Sequence, residues 1–137
     1  MTVPDFQTIM RPLLEFASKP GEHTLTEAKE HLSIHYSLTE AELAAMLPSG
    51  RAPTFYNRLA WAKTYLQQAG LLDSPRRGKF AISTRGREVL ENPPERITIA
   101  FLEQFPEFRE FRRSRKKEVE VKPASDGSDT PEEQLEL

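Results

Sequence analysis

Residues 53–80, PTFYNRLAWAKTYLQQAGLLDSPRRGKF, decide how this chain folds. Pro53 and Thr54 suit the opening of a helix, and Gly70 suits the position just past its end, where a positive φ is wanted. Between them Phe55, Leu59, Ala62, Leu66 and Ala69 fall on one stripe at about 100° per residue, so that stripe faces a core. Asn57, Ala60, Thr64, Gln67 and Gln68 are left on the far side, which is polar but uncharged. Trp61 falls between the faces, about 120° from the stripe, and reads as packing against the hairpin or later helices rather than stacking on a base. After Gly70, the runs LLDS and KFAIS flank PRRG, a β-hairpin with Gly78 supplying the positive φ of its turn. The tip carries Arg76, Arg77 and Lys79, whose mutual repulsion calls for water or an anion to screen it.

Upstream, Phe6, Ile9, Met10, Leu13, Leu14 and Ala17 recur at helical spacing, predicting a helix over 4–18 with Pro4 in its first turn. Pro12 lacks an amide donor, so it is expected to kink that helix or delay its regular part until after Met10. Thr24 with Glu27 reads as a capping box, Thr26 being the alternative cap, for a second helix whose apolar face is Ala28, Leu32 and His35 or Tyr36. Thr39 with Glu42 repeats the signature before LAAML, a short helix ended by Pro48-Ser49-Gly50. Downstream, Thr84 is expected to cap TRGREVLEN, stopped by Pro93-Pro94. Residues 96–113 read as one or two helical segments anchored by Ile97, Phe101, Leu102, Phe105, Phe108 and Phe111. From Ser114 onward charge is dense and large apolar residues are few, which predicts a disordered linker or tail.

A length of 137 residues fits one domain plus that tail. No apolar run of eighteen residues is present to span a bilayer, and MTVPDFQTIMRP lacks the basic start and small-residue cleavage site of a signal peptide, so the chain reads as cytoplasmic. With no cysteine and three histidines, disulfides, thiol nucleophiles and Cys-based metal sites are excluded. His31 and His35 are four apart, as two ligands on a helix would be, but no third ligand is evident and a partly buried pair is the favoured reading. No Ser/His/Asp order, Gly-rich phosphate loop or paired-carboxylate cleft stands out, so no catalytic residue, metal or cofactor is expected.

Net charge is -2, but the average hides a segregation along the chain. Residues 1–47 carry 3 basic and 7 acidic side chains (-4), residues 48–87 carry 8 basic against Asp73 alone (+7), and residues 118–137 carry Lys122 against seven acids (-6). A phosphate backbone meets a local field of this kind rather than the net charge.

The order of elements predicts a mainly α fold with a small β-hairpin: a winged helix-turn-helix over 1–92, a helical extension over 93–113 packed on it, and a tail over 114–137. Such a fold places one helix in the major groove of double-stranded DNA and its wing on flanking phosphates. Asn57 and Gln67 or Gln68 then offer donors and acceptors to bases, Arg51, Tyr56 and Lys63 hold the backbone, and Thr54 and Thr64 complete the helix contacts. Arg76, Arg77 and Lys79 take the wing. The small Ala60 beside Tyr56 and Asn57 leaves an apolar recess suited to a methyl group on a base. The competing reading is a protein-interaction or homodimerisation module built on Phe101, Phe105, Phe108 and Phe111.

LPSGRAPTFYNRLAWAKTYLQQAGLLDSPRRGKFAISTRGREVL (47–90), followed by FLEQFPEFREF (101–111), resembles the N-terminal domain of the Mrr family of modification-dependent (type IV) restriction endonucleases. SGR, NR, WA, YL, AGL, SPRRG and RG match in order, and the resemblance runs from about Pro4 to Phe111, with TPEEQLE in the tail similar to the start of that family's interdomain connection. The resemblance implies a winged-helix domain that recognises methylated DNA for a restriction system. It also implies a following nuclease of the PD-(D/E)xK type, expected to be absent here because the chain stops at Leu137. Glu120-Val121-Lys122 matches the letters ExK, and chance in a charged tail is the favoured reading because carboxylates need a folded frame to hold a metal.

Overall fold

A computed structural model describes residues 3–118 and shows a mainly α, winged-helix-like architecture with one antiparallel hairpin. Its elements are α1 (Phe6–Ala17), α2 (Leu25–His35), α3 (Glu40–Ala44), α4 (Thr54–Gln68), β1 (Leu72–Arg76), β2 (Lys79–Ile82), α5 (Thr84–Glu91), α6 (Ile99–Leu102) and α7 (Pro106–Glu118).

The core forms between α1 and α4. Phe6, Ile9, Met10, Leu13, Leu14 and Ala17 meet Phe55, Leu59, Ala62, Leu66 and Ala69, all at 0 % exposure. Each large apolar side chain buried in this way contributes about 1.5–3 kcal/mol relative to exposure. Asp5, not Pro4, opens α1, its carboxylate accepting from the Thr8 amide at 2.8 Å.

Pro12 lies inside α1, which runs through it from Phe6 to Ala17. The bond it cannot make would have gone to the carbonyl of Thr8, four residues back. Tyr36, at the end of α2, donates its hydroxyl to that same carbonyl at 3.2 Å. A long-range partner thus replaces the missing local donor. Burial, with the nearby charges of Asp5 and Glu15, pushes the Tyr36 hydroxyl up to about 12, so it keeps its proton and remains a donor.

Local signals set the next helices. Both expected capping boxes are present: Thr24 with Glu27 opens α2, and Thr39 with Glu42 opens α3. Helix α3 ends at Ala44, short of the expected LAAML, because Ala45 turns extended and its carbonyl accepts the amide of Thr54 at 2.8 Å. Helix α4 ends as expected at Gly70 (φ 83°): the Gly70 amide donates to Gln67 and the Leu71 amide to Leu66, which is a Schellman closure.

Leu72 pairs with Ile82, Asp73 with Ala81 and Arg76 with Lys79, so β1 carries one extra residue at Ser74-Pro75. Proline is tolerated at such a bulge because no ladder bond is asked of it. Gly78 has φ 78° at the turn. A feature absent from the sequence reading ties the hairpin down: His23 and Phe80 exchange two backbone hydrogen bonds of 2.8 Å, adding a one-residue third strand beside β2.

Ser83 rather than the expected Thr84 caps α5. Its buried hydroxyl donates to the Gly70 carbonyl at 2.6 Å and accepts from the Gly86 amide at 3.0 Å, welding the end of α4 to the start of α5. Beyond α5, Ile97, Leu102 and Phe108 are fully buried. Gln7 accepts from the Ile99 amide at 2.9 Å, and Arg11 reaches the carbonyls of Pro94 and Glu95. Helix α7 continues through Ser114 to Glu118, past the point where a tail was expected. Glu120-Val121-Lys122 and the TPEEQLE stretch lie outside the described residues.

Candidate nucleic-acid interface

Three sides of α4 are occupied. The apolar stripe faces α1. Tyr65 faces α7, in edge contact with Phe108 at 5.6 Å and Phe111 at 5.7 Å, and also meets Trp61 of its own helix at 5.9 Å. Trp61 packs half-buried against the core. Arg58 donates to the Val3 carbonyl at 2.8 Å.

The remaining ridge is Tyr56, Ala60, Lys63 and Gln67, spaced i, i+4, i+7 and i+11 along one face. Tyr56 is exposed and the other three are half-buried. Gln68 is exposed beside them, and Thr64, half-buried, already donates its hydroxyl to the Ala60 carbonyl at 3.0 Å. Asn57 corrects the sequence reading. It was expected on the outward face but is buried at 8 % exposure. Helical periodicity sees only the helix, whereas the Ala45–Pro53 segment folds back on the first turn of α4 through a Met46–Pro53 bridge and the Thr54–Ala45 bond. Asn57 is therefore not presented for base contact in this structure. Thr54 is half-buried by the same segment, and Arg51 on it is exposed.

The wing follows α4 after one tight turn. Asp73 through Gly78 are all exposed. Arg76 has a carboxylate partner, Glu22, at 3.2 Å. Arg77 and Lys79 have no carboxylate in ion-pair range among the described residues. The positive block of residues 48–87 is thus less of a patch than its count suggests. Arg58 serves the fold as described, and so does Arg85: its guanidinium donates to the Ala69 carbonyl at 2.8 Å and to Glu107 at 2.9 Å, and it sits 4.8 Å from the Phe105 ring. A cation at the C-terminal end of α4 also complements the helix dipole. A hydrogen bond from the backbone of Glu107 itself, and then the one from Arg85, hold the Glu107 carboxyl below its ordinary value.

Two other groupings separate from the interface. Phe108 is fully buried and Phe101, Phe105 and Phe111 pack half-buried on the core, so part of the aromatic surface expected for a dimer is taken up within the chain. His31 stacks on Phe16 at 5.0 Å. Burial, with Lys19 and His35 nearby, holds its pKa below the usual imidazole value. Among the described residues no three His, Asp or Glu side chains gather as metal ligands, and no helix is long and apolar enough to cross a membrane.

The family described as the Mrr N-terminal domain matches residues 6–92, from the start of α1 to the residue after α5. The chain belongs to the Mrr N-terminal domain family. It is 29% identical over 99 residues to the type IV methyl-directed restriction enzyme EcoKMrr of Escherichia coli (strain K12), a match covering 72% of this chain and 32% of the relative. The chain thus spans about a third of that relative's length. No solved structure matches it. Within the Mrr N-terminal fold, most of the short elements that carried the resemblance are structural: Arg58 of NR, Gly70 of AGL and Arg85-Gly86 of RG hold elements together. SPRRG differs, because its side chains face solvent.

Proposed function

We infer that this chain is a double-stranded DNA recognition module of an Mrr-like restriction system, engaging DNA through the open ridge of α4 and the tip of the wing. The observation that carries this reading is the tip itself: Arg77 in the turn and Lys79 opening β2, without a carboxylate partner among the described residues, on a hairpin that directly follows α4. Tyr56, Lys63 and Gln67 form the helix contacts, with Arg51 on the phosphate backbone; Asn57 is dropped from the set because it is buried.

Ala60 is the one small residue between Tyr56 and Lys63 on the ridge. A methyl on cytosine C5 or adenine N6 projects into the major groove, and Ala60 leaves room for it against the Tyr56 ring. The name of the relative, a methyl-directed enzyme, agrees with methylated DNA as the target. A second reading, a protein-interaction or dimerisation module, keeps the half-exposed rings of Phe101, Phe105 and Phe111.

Fluorescence anisotropy of a labelled duplex across a salt series tests this. About four phosphate contacts give a slope near -3.6 in log K against log salt, and Arg76→Ala/Arg77→Ala brings it to about -1.8. Unchanged affinity and slope in that variant would remove the wing from the reading. Methylated and unmethylated duplexes of one sequence bound equally would remove methyl readout while leaving DNA binding in place.

A further inference from the structure

The link between α3 and α4 is more than a turn. Thr54 donates its amide to the Ala45 carbonyl at 2.8 Å, and Leu47 donates its own to the Ala52 carbonyl at 2.9 Å. These two bonds bracket the antiparallel bridge of Met46 with Pro53. A pair bracketed in this way is of the non-hydrogen-bonded kind, with Cα atoms about 4.5 Å apart and side chains close together on one face. Beyond the pair, the Gly50 amide closes on the Leu47 carbonyl at 2.8 Å, with Gly50 at φ 73°, and the exposed Arg51 follows. Residues 45–54 therefore form a short finger, clasped at its root to the start of α4.

What the root presents to solvent is apolar. Leu47 is buried, and strand alternation turns its neighbour Met46 the other way, 48 % exposed. Pro53, across the bridge from Met46, stands one turn before Tyr56, so the pair extends the open ridge of α4 past its N-terminal end. Tyr56 is itself 38 % exposed. Met46 and Tyr56 are two of the three exposed large apolar side chains among the described residues; the third, Ile34, stands on α2. Cations flank this strip. Arg51 has no carboxylate in ion-pair range among the described residues, and Lys63 lies two turns beyond Tyr56 on the ridge. A protein partner calls for a broad apolar patch, whereas a narrow apolar strip between cations fits a base edge between two rows of phosphates. The apolar group that a base edge carries in the major groove is the C5-methyl of a pyrimidine. It stands clear of the hydrogen-bonding atoms of its base, so apolar contact is all it needs, and a flexible, polarizable thioether adapts to it.

We propose that Met46, beside Tyr56, is a specificity-determining residue that receives a pyrimidine C5-methyl of a duplex lying on α4. This rests on the DNA-binding reading above, and places the contact on the opposite side of Tyr56 from Ala60. The test uses one duplex sequence in three forms: with thymine, with uracil in its place, and with uracil together with 5-methylcytosine. The full 137-residue chain binds the uracil form about fourfold more weakly than a methyl-bearing form, as the loss of one buried methyl gives. Whichever form restores affinity tells thymine from 5-methylcytosine as the source. Met46→Gln, close in length and at an exposed position, levels the three affinities and keeps the salt slope, since no phosphate contact is lost. Independently of any variant, the Met46 methyl resonance of an isotope-labelled chain shifts on adding duplex, with the fully buried Met10 as reference. Equal binding of the three forms by the unmutated chain, a Met46→Gln variant that keeps the preference, or a Met46 signal unmoved by a duplex that does bind overturns the proposal and leaves DNA binding in place. A Met46 signal that follows chain concentration instead of duplex assigns the strip to a contact between copies and also overturns it. A chain that binds no form of the duplex overturns this proposal and the DNA-binding reading together.

Discussion

The chain contains two Arg-Gly pairs eight residues apart, Arg77-Gly78 and Arg85-Gly86, and they do opposite things. At the wing tip, Arg77 is exposed, and a Cβ on Gly78 would meet nothing within 4 Å. At the start of α5, Arg85 is bonded into the end of α4, and a Cβ on Gly86 would lie 2.3 Å from the Leu71 carbonyl oxygen and 2.7 Å from Ile82. One glycine is required for its φ and the other for its lack of volume. One arginine is aimed outward and the other ties two helices. Matching letters in a family pattern do not separate these roles; the surroundings do.

The contrast is broken most forcefully at the glycines. Gly86→Ala drives a methyl into backbone that cannot yield, a loss of about 3 kcal/mol by overpacking, seen as a melting midpoint lower by roughly 12 °C or more. Gly78→Ala costs about 1–2 kcal/mol from its positive φ alone. Equal midpoints for the two variants would show that the α4–α5 junction can relax.

A smaller effect sharpens the wing's role. Glu22→Gln removes the partner of Arg76, an exposed pair worth about 0.2–1 kcal/mol. Duplex affinity should rise by up to about fivefold at low salt and converge with the unmutated chain at high salt, with the melting midpoint nearly unchanged. Weaker binding in this variant would mean that Glu22 positions Arg76 rather than competing for it.

The smallest effect lies in pH. Because burial, Lys19 and His35 lower the folded pKa of His31, the unfolded chain takes up that proton more readily. His31 therefore leaves stability untouched above its ordinary value of about 6.5 and reduces it as pH falls through that value toward the folded one. His31→Phe, which keeps a ring against Phe16, should flatten this part of a denaturation series run from pH 7.5 down to 5, a range chosen about the same reference value. An unaltered slope would place the acid sensitivity in other groups.

What the sequence made legible was what depends on near neighbours. The capping boxes at Thr24 and Thr39 and the Gly70 stop are fixed by residues three or four apart, and each is where periodicity and cap chemistry put it. What it hid depends on distant chain. Asn57 sits opposite the apolar stripe by angle, yet it is buried, and the chain arriving from α3 folds back on the same first turn of α4. Thr84 and Ser83 are equally good caps by type, and the Gly70 carbonyl, thirteen residues away, chooses Ser83. Pro12 reads as a kink or a delayed start until Tyr36 supplies the hydrogen bond. Dense charge from Ser114 predicts a tail, whereas Arg, Lys and Glu are good helix formers and α7 extends to Glu118. The wing's charge was legible; its partner Glu22 was not.

The clasp between His23 and Phe80 gives the wing a second root. A finger attached only through the end of α4 would swing with that helix, and any push on its tip would tilt the rod beside it. Because β2 is also stitched to the turn leaving α1, force at the tip travels into the central helix pair, and the finger and rod keep a fixed span like the jaws of a caliper.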